Sequence, residues 1–262
     1  MFKKHRIMLL LIITLLLFST VAQAAESYID KSQINSGVIK INNNNGKFGA
    51  VRVSKDNTSY DYILKENDTI PLQLGNGQYT VLVLESVGGN KFKQVSKEVV
   101  TLKSIDTNEV YLQSIQMINW NNEMNAIKKA KELTKNAKND KEKVEAIYNY
   151  IIANISYDND KASKIKSNYI PKIDETLKAQ NGICYDYASL FGAMLRSVGV
   201  PTKLVMGRKN DIKEYHAWNQ VFLEDSNEWI NIDTTYDAGL KKGNVDTNMI
   251  KNANEYKVEK EY

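Results

Sequence analysis

Asn181-Gly182-Ile183-Cys184-Tyr185-Asp186-Tyr187-Ala188-Ser189-Leu190-Phe191, continuing through Leu195 and Val198 to Gly199 and Pro201, decides the fold. Asn181-Gly182 stops the preceding segment. Ala188, Phe191, Leu195 and Val198 then fall on one helical face, and Gly199 and Pro201 end that helix. Cys184 therefore stands in the first turn, where unpaired N–H groups face it and the helix dipole favours an anion. Given a basic partner, such a position favours the thiolate, and the same N–H groups suit a developing oxyanion. A free cysteine is often only a small buried hydrophobe. Here the flanks are Gly182 and Tyr185-Asp186 at a helix entrance rather than an apolar stripe, which favours a nucleophile. Cys184 is the only cysteine in the chain, so no internal disulfide competes for it.

Three strands are expected downstream: Thr202 to Gly207, Tyr215 to Leu223, and Glu228 to Thr234. In the second, His216, Trp218, Gln220 and Phe222 share a face; apart from His5, His216 is the only histidine. In the third, Trp229, Asn231 and Asp233 alternate against Ile230 and Ile232. The short polar connection Glu224 to Asn227 predicts a hairpin. With Asp225-Ser226 as its two-residue turn, Val221 faces Ile230 and Trp218 faces Asp233. His216 and Asp233 then become diagonal neighbours on one face. Slipping one strand by a single residue destroys this, because every side chain of that strand flips, whereas a turn at Ser226-Asn227 keeps the face but lengthens the gap. The roles follow from the chemistry: Cys184 attacks a carbonyl carbon, His216 carries the proton, and Asp233 orients the imidazole and steadies its charged form.

The three blocks Gly182-Ile183-Cys184-Tyr185-Asp186-Tyr187-Ala188, His216-Ala217-Trp218-Asn219 and Trp229-Ile230-Asn231-Ile232-Asp233-Thr234-Thr235 resemble the core of the transglutaminase-like superfamily. The resemblance runs from about Trp120 to Ala238. It implies a papain-like α+β fold, with the cysteine helix packed on an antiparallel sheet that carries the histidine and aspartate. It also implies acyl transfer through a thioester, with an amine or water as acceptor, and a mechanism that needs no metal or other cofactor. A side-chain oxyanion donor is implied upstream of the cysteine, with Tyr157 and Gln180 as candidates.

Ahead of this core lie two helical stretches. Met124, Ile127, Ala130 and Leu133 keep helical spacing. A second helix is expected from Asp140 as N-cap, with the stripe Val144, Ile147, Tyr148, Ile151, Ile152 and Ile155. A polar loop, Tyr157 to Ser167, and a short helix from Asp174 to about Gln180 follow. From about Ser36 to Ser104 the chain alternates in twos, with turn signals at Gly75-Asn76-Gly77 and Gly88-Gly89-Asn90. That rhythm predicts a small antiparallel β-sandwich, with a hairpin at Gly75-Asn76-Gly77.

Lys3, Lys4 and Arg6, the apolar run Ile7 to Phe18, and Val21-Ala22-Gln23-Ala24 are laid out as a cleaved secretory signal. The run is shorter than the roughly 18 apolar residues a span needs. The expected organisation is a signal peptide (1–24), an all-β sandwich domain (25–118) and a transglutaminase-like domain (119–262). The chain's net charge of +4 owes three charges to Lys3, Lys4 and Arg6, so the remainder is nearly neutral. With no basic stripe interleaved with aromatics, a nucleic-acid partner is not expected. The expected function is a secreted cysteine acyltransferase or amide hydrolase acting on protein or peptide, cell-wall peptide included, with no membrane attachment after signal cleavage. The alternative is a secreted binding or cell-surface module that keeps the fold without catalysis.

Overall fold

The structure, a computed structural model, describes residues 27–262 apart from 44–45, 66–67, 90 and 167. The expected signal peptide lies outside the described residues. No helix among them is long and apolar enough to cross a membrane.

The described residues begin with seven strands: β1 (Ile29–Asp30), β2 (Val38–Ile41), β3 (Phe48–Lys55), β4 (Thr58–Ile63), β5 (Thr69–Pro71), β6 (Gly77–Ser86) and β7 (Phe92–Leu102). They form two antiparallel sheets, in the orders β1-β2-β5 and β4-β3-β6-β7. Alternation works as the two-residue period requires: Tyr79, Val81 and Val83 of β6 are buried, while their neighbours face outward. The turn at Gly88-Gly89 joins β6 and β7, which pair along their length. Gly75-Asn76-Gly77 is not a hairpin turn. β5 pairs with β2, whereas β6 pairs with β3 and β7, so this turn passes the chain from one sheet to the other. Gly75 (φ 73°) and Gly77 (φ 130°) supply the backbone for that corner. The Tyr79 hydroxyl closes it by donating to the carbonyls of Leu72 (2.8 Å) and Gly75 (2.6 Å).

The second half interleaves helices and strands: α1 (Asn125–Thr134), α2 (Asp140–Asn154), β8 (Ser156–Tyr157), α3 (Asn159–Lys164), α4 (Ile173–Ala179), β9 (Asn181–Gly182), α5 (Cys184–Ser197), β10 (Thr202–Lys209), β11 (Ile212–Leu223), β12 (Glu228–Ile232), α6 (Thr234–Lys242), β13 (Ile250–Lys251) and β14 (Tyr256–Glu261). The N-cap of α2 is Asn139, not Asp140; its side chain accepts from the Glu142 N–H at 2.9 Å. The expected polar loop after Tyr157 contains α3, capped by Asp158.

A five-stranded antiparallel sheet, ordered β13-β12-β11-β10-β14, carries α5 across β10 and β11. The middle of α5 is buried on every side: Tyr187, Leu190, Phe191, Ala193, Met194 and Leu195 have no exposed surface. A helix apolar all round is one enclosed by protein. Asn219 of β11 fastens it to the sheet, donating to the carbonyls of Ala188 (3.0 Å) and Lys203 (3.1 Å). The fold is thus α+β, with α5 packed on an antiparallel sheet behind a strand-rich N-terminal region. Tyr262 bridges the two, edge-on to Tyr60 (5.4 Å) and Tyr62 (6.1 Å).

Candidate active site

Cys184 is the first residue of α5, and the turn around it is held by Asp186. That carboxylate is fully buried and accepts from the Ile183 N–H at 2.9 Å, from the Tyr169 hydroxyl and from Lys161 (2.7 Å). A carboxylate three residues into a helix that reaches back to the N-cap N–H is half of a capping box. The fit needs Gly182, because a Cβ there would lie 2.7 Å from Asp186 Cβ. Parallel pairing of Tyr157 with Gly182 sets the 156–157 segment beside the cysteine turn.

The hairpin carrying the other two residues has the register read from its turn: Val221 faces Ile230, Asn219 faces Ile232 and Leu223 faces Glu228. The Asn227 N–H closes the turn onto the Glu224 carbonyl (3.2 Å), with Asn227 in the left-handed region at φ 55°. The third strand stops two residues earlier than expected, at Ile232. Asp233 is the N-cap of α6, its Oδ1 accepting from the Tyr236 N–H at 3.0 Å. A cap fixes the carboxylate more firmly than a strand end would, since one oxygen is committed to the helix and the other is left for a partner.

That partner is His216, whose Nε2 lies 2.8 Å from Asp233 Oδ2; both residues are buried. With Nε2 engaged, Nδ1 is the ring nitrogen left for Cys184, which lines the same cleft. Burial weighs against charging His216. The hydrogen bonds to Asp233 and Cys184, together with their negative charge, outweigh it, and the imidazole pKa is pushed up to about 10. The site is thereby biased toward an imidazolium.

Three predicted residues thus converge at one place. Cys184 and His216 line an open cleft of about 710 Å³, together with Tyr157, Glu214, Tyr215 and Tyr236. Asp233 sits behind it, fully buried. Of the two upstream oxyanion candidates, Tyr157 lines this cleft. Burial raises its phenol pKa, and the nearby Cys184 and Glu214 push it further the same way, so it stays a donor. Gln180 is exposed, occupies the left-handed C-cap of α4 (φ 52°), and contributes its backbone carbonyl to the Ser156 N–H instead.

Two participants escaped the sequence reading. The Tyr256 hydroxyl donates to Asp233 Oδ2 at 3.1 Å, and its ring packs on Trp218 with centroids 5.0 Å apart. No local pattern marks Tyr256; it reaches the site only because β14 pairs with β10. The Lys161–Asp186–Tyr169 cluster had one legible signal, an acidic residue at the third position of the cysteine helix.

Residues 127–234 match the model of the transglutaminase-like superfamily. The kyphoscoliosis peptidase of Mus musculus is 34% identical over 130 residues, covering 46% of this chain and 19% of that protein. Its Homo sapiens counterpart is 34% identical over 119 residues, covering 42% and 18%. The chain therefore spans about a fifth of the length of the curated relatives it matches. Among solved structures, the periplasmic domain of TgpA from Pseudomonas aeruginosa aligns with a TM-score of 0.38 and 15% identity, covering 82% of this chain and 94% of that one. Legionella pneumophila LapG aligns with a TM-score of 0.38 and 18% identity, covering 51% and 66%.

Proposed function

We propose that this chain, a member of the transglutaminase-like superfamily through residues 127–234, cleaves or transfers amide acyl groups through a thioester on Cys184. The observation that carries the reading is the His216 imidazole, held at 2.8 Å by the buried Asp233 carboxylate and lining one open cleft with Cys184.

In the first step the Cys184 thiolate attacks the amide carbonyl carbon and the carbonyl π electrons move onto oxygen. The α5 N-terminal N–H groups and the Tyr157 hydroxyl, which lines the same cleft, would receive that oxyanion. The intermediate collapses, the C–N bond breaks, and the leaving amine takes its proton from the His216 imidazolium. A water or an amine then attacks the thioester and gives its proton to the imidazole. The C–S bond breaks, restoring the thiolate. Throughout, Asp233 holds the ring and balances its charge. The open cleft admits a peptide chain better than a small metabolite, so we assign protein or peptide substrates, cell-wall peptide included, met outside the cytoplasm after export by the N-terminal signal.

The test needs no substrate: the rate of iodoacetamide alkylation of Cys184 against pH, beside His216→Ala and Asp233→Ala. Rapid labelling well below pH 8, slowed in His216→Ala, is the expected result. Labelling that follows an ordinary thiol and ignores His216 would overturn the reading and favour a binding module that keeps the fold without chemistry.

A further inference from the structure

Behind α3 lies a second groove, of about 510 Å³, that the chemistry above does not use. Among the described residues, five lysines line it, Lys65, Lys161, Lys164, Lys166 and Lys172, against one carboxylate, Glu175. In a chain whose positive and negative side chains otherwise nearly balance, that concentration is uneven. Lys172 is paired with Glu175 (2.9 Å) and Lys161 with the buried Asp186 (2.7 Å). Lys65, Lys164 and Lys166 have no ion-pair partner among the described residues. The tertiary fold assembles the set, since Lys65 comes from the strand-rich region and the others from α3 to α4. Crowding like charges costs stability that folding alone gives no reason to spend.

The groove adjoins the candidate active site. One face of α3, with Asn159, Ala162 and Ser163, lines the Cys184 cleft, while Lys161 and Lys164 of the same helix line the lysine groove. Tyr169, in the groove, meets Tyr185 edge-on at 6.2 Å, one residue beyond the nucleophile. The lining is not purely ionic: Ile165, Ile170 and the Tyr169 ring contribute apolar surface. A phosphate polymer would find nothing to do with that surface, whereas peptide side chains and Cα–H groups would pack on it.

We propose that this groove docks an acidic segment of the peptide substrate, flanking the amide presented to Cys184, so that clustered carboxylates select which chain is processed. The proposal rests on the acyl-transfer reading for its context, but docking is separable from chemistry. The experiment uses the full chain carrying Cys184→Ala and a dye-labelled hexaglutamate peptide, titrated by fluorescence anisotropy at low and high salt. The expected result is saturable binding that weakens with salt and loosens about tenfold in Lys65→Gln/Lys164→Gln/Lys166→Gln. Hexaglutamine should not bind, and an unchanged thermal midpoint should show that the three exposed substitutions leave the fold intact. In the active protein, an acidic flank on a peptide substrate should lower KM with little change in kcat, and the triple variant should abolish that difference. Equal binding by the triple variant, equal binding of hexaglutamine, or tighter binding of inorganic polyphosphate than of hexaglutamate would each overturn the proposal. Ordinary-thiol labelling of Cys184 alongside intact hexaglutamate binding would remove the acyl-transfer reading and leave the docking groove standing.

Discussion

The Tyr256 hydroxyl and the His216 imidazole share one acceptor, Oδ2 of Asp233, at 3.1 and 2.8 Å. Two donors on one oxygen, with the Tyr236 N–H on the other, leave this buried carboxylate fully satisfied and fixed in orientation. Tyr256 does not face the cleft; it acts on Asp233, and through it on His216, as a positioning residue.

Tyr256→Phe keeps the ring against Trp218 and removes only the donor. A net hydrogen bond of about 1 kcal/mol predicts a loss of about fivefold in kcat/KM. The pH profile should shift as well, because the carboxylate that orients His216 would be held by one donor fewer. An unchanged rate and profile would show that Tyr256 is only a packing residue.

The charged state of His216 also makes a stability prediction. Its folded pKa of about 10 lies above the ordinary histidine value of 6.5, so its pairing contributes fully below pH 6.5 and is lost as pH rises through about 10. Denaturant titrations of the wild type and His216→Gln should therefore show a stability gap that narrows between pH 6.5 and 10. Amide cleavage should fall over the alkaline end of that window, as the proton for the leaving amine disappears. A gap independent of pH would contradict the assigned charge state.

Gly207→Ala is expected to unseat β14. A Cβ at this position would lie 2.0 Å from the Lys257 carbonyl oxygen, and the β10–β14 register already shifts between Met206 and Gly207. Backbone must move to admit it, at a cost of about 3 kcal/mol. Faster proteolysis within residues 256–262, with activity falling as Tyr256 leaves Asp233, would be the signature. A variant as resistant to protease as the wild type would show that the strand accommodates the methyl group.

Arg196 is a fully buried guanidinium that donates to the main-chain oxygens of Thr202 (2.8 Å), Gln113 (2.7 Å) and Tyr262 (3.0 Å). Burial lowers its pKa to about 9, and these main-chain oxygens surround it. It ties the end of α5 to the sheet and to the C-terminal strand through a fork that an ammonium cannot copy. Arg196→Lys should cost about 3 kcal/mol, since carbonyls are left unpaired around a charge that is still buried. Calorimetry checks this; a thermal midpoint within a degree of the wild type would refute it.

Strong local patterns were readable without coordinates. The α5 stripe, the start of that helix at Cys184, and the 224–227 turn that sets Val221 against Ile230 all follow from period and turn chemistry. What failed locally did so for identifiable reasons. Alternation in residues 70–84 marks strands but says nothing about their partners, so the Gly75-Asn76-Gly77 turn was assigned to a hairpin that does not form. Thr234-Thr235 continued a β-branched strand pattern, and only the Asp233 cap turns them into the start of α6. The six residues of α3 lacked an apolar stripe long enough to register.

The sequence by itself determined the chemistry available: one thiol at a helix entrance, one histidine on a hairpin strand and one aspartate close to the end of its partner strand, because spacing and period are local properties. The tertiary structure decided what surrounds them. Packing α5 on the sheet brings Cys184 to His216, pairing β14 with β10 delivers Tyr256 to Asp233, and closing the strand-rich region against the core carries Lys65 to the lysines of α3. These contacts join residues with no periodic relation along the chain. They exist because burying both apolar faces of the sheet and all sides of α5 leaves few compact arrangements.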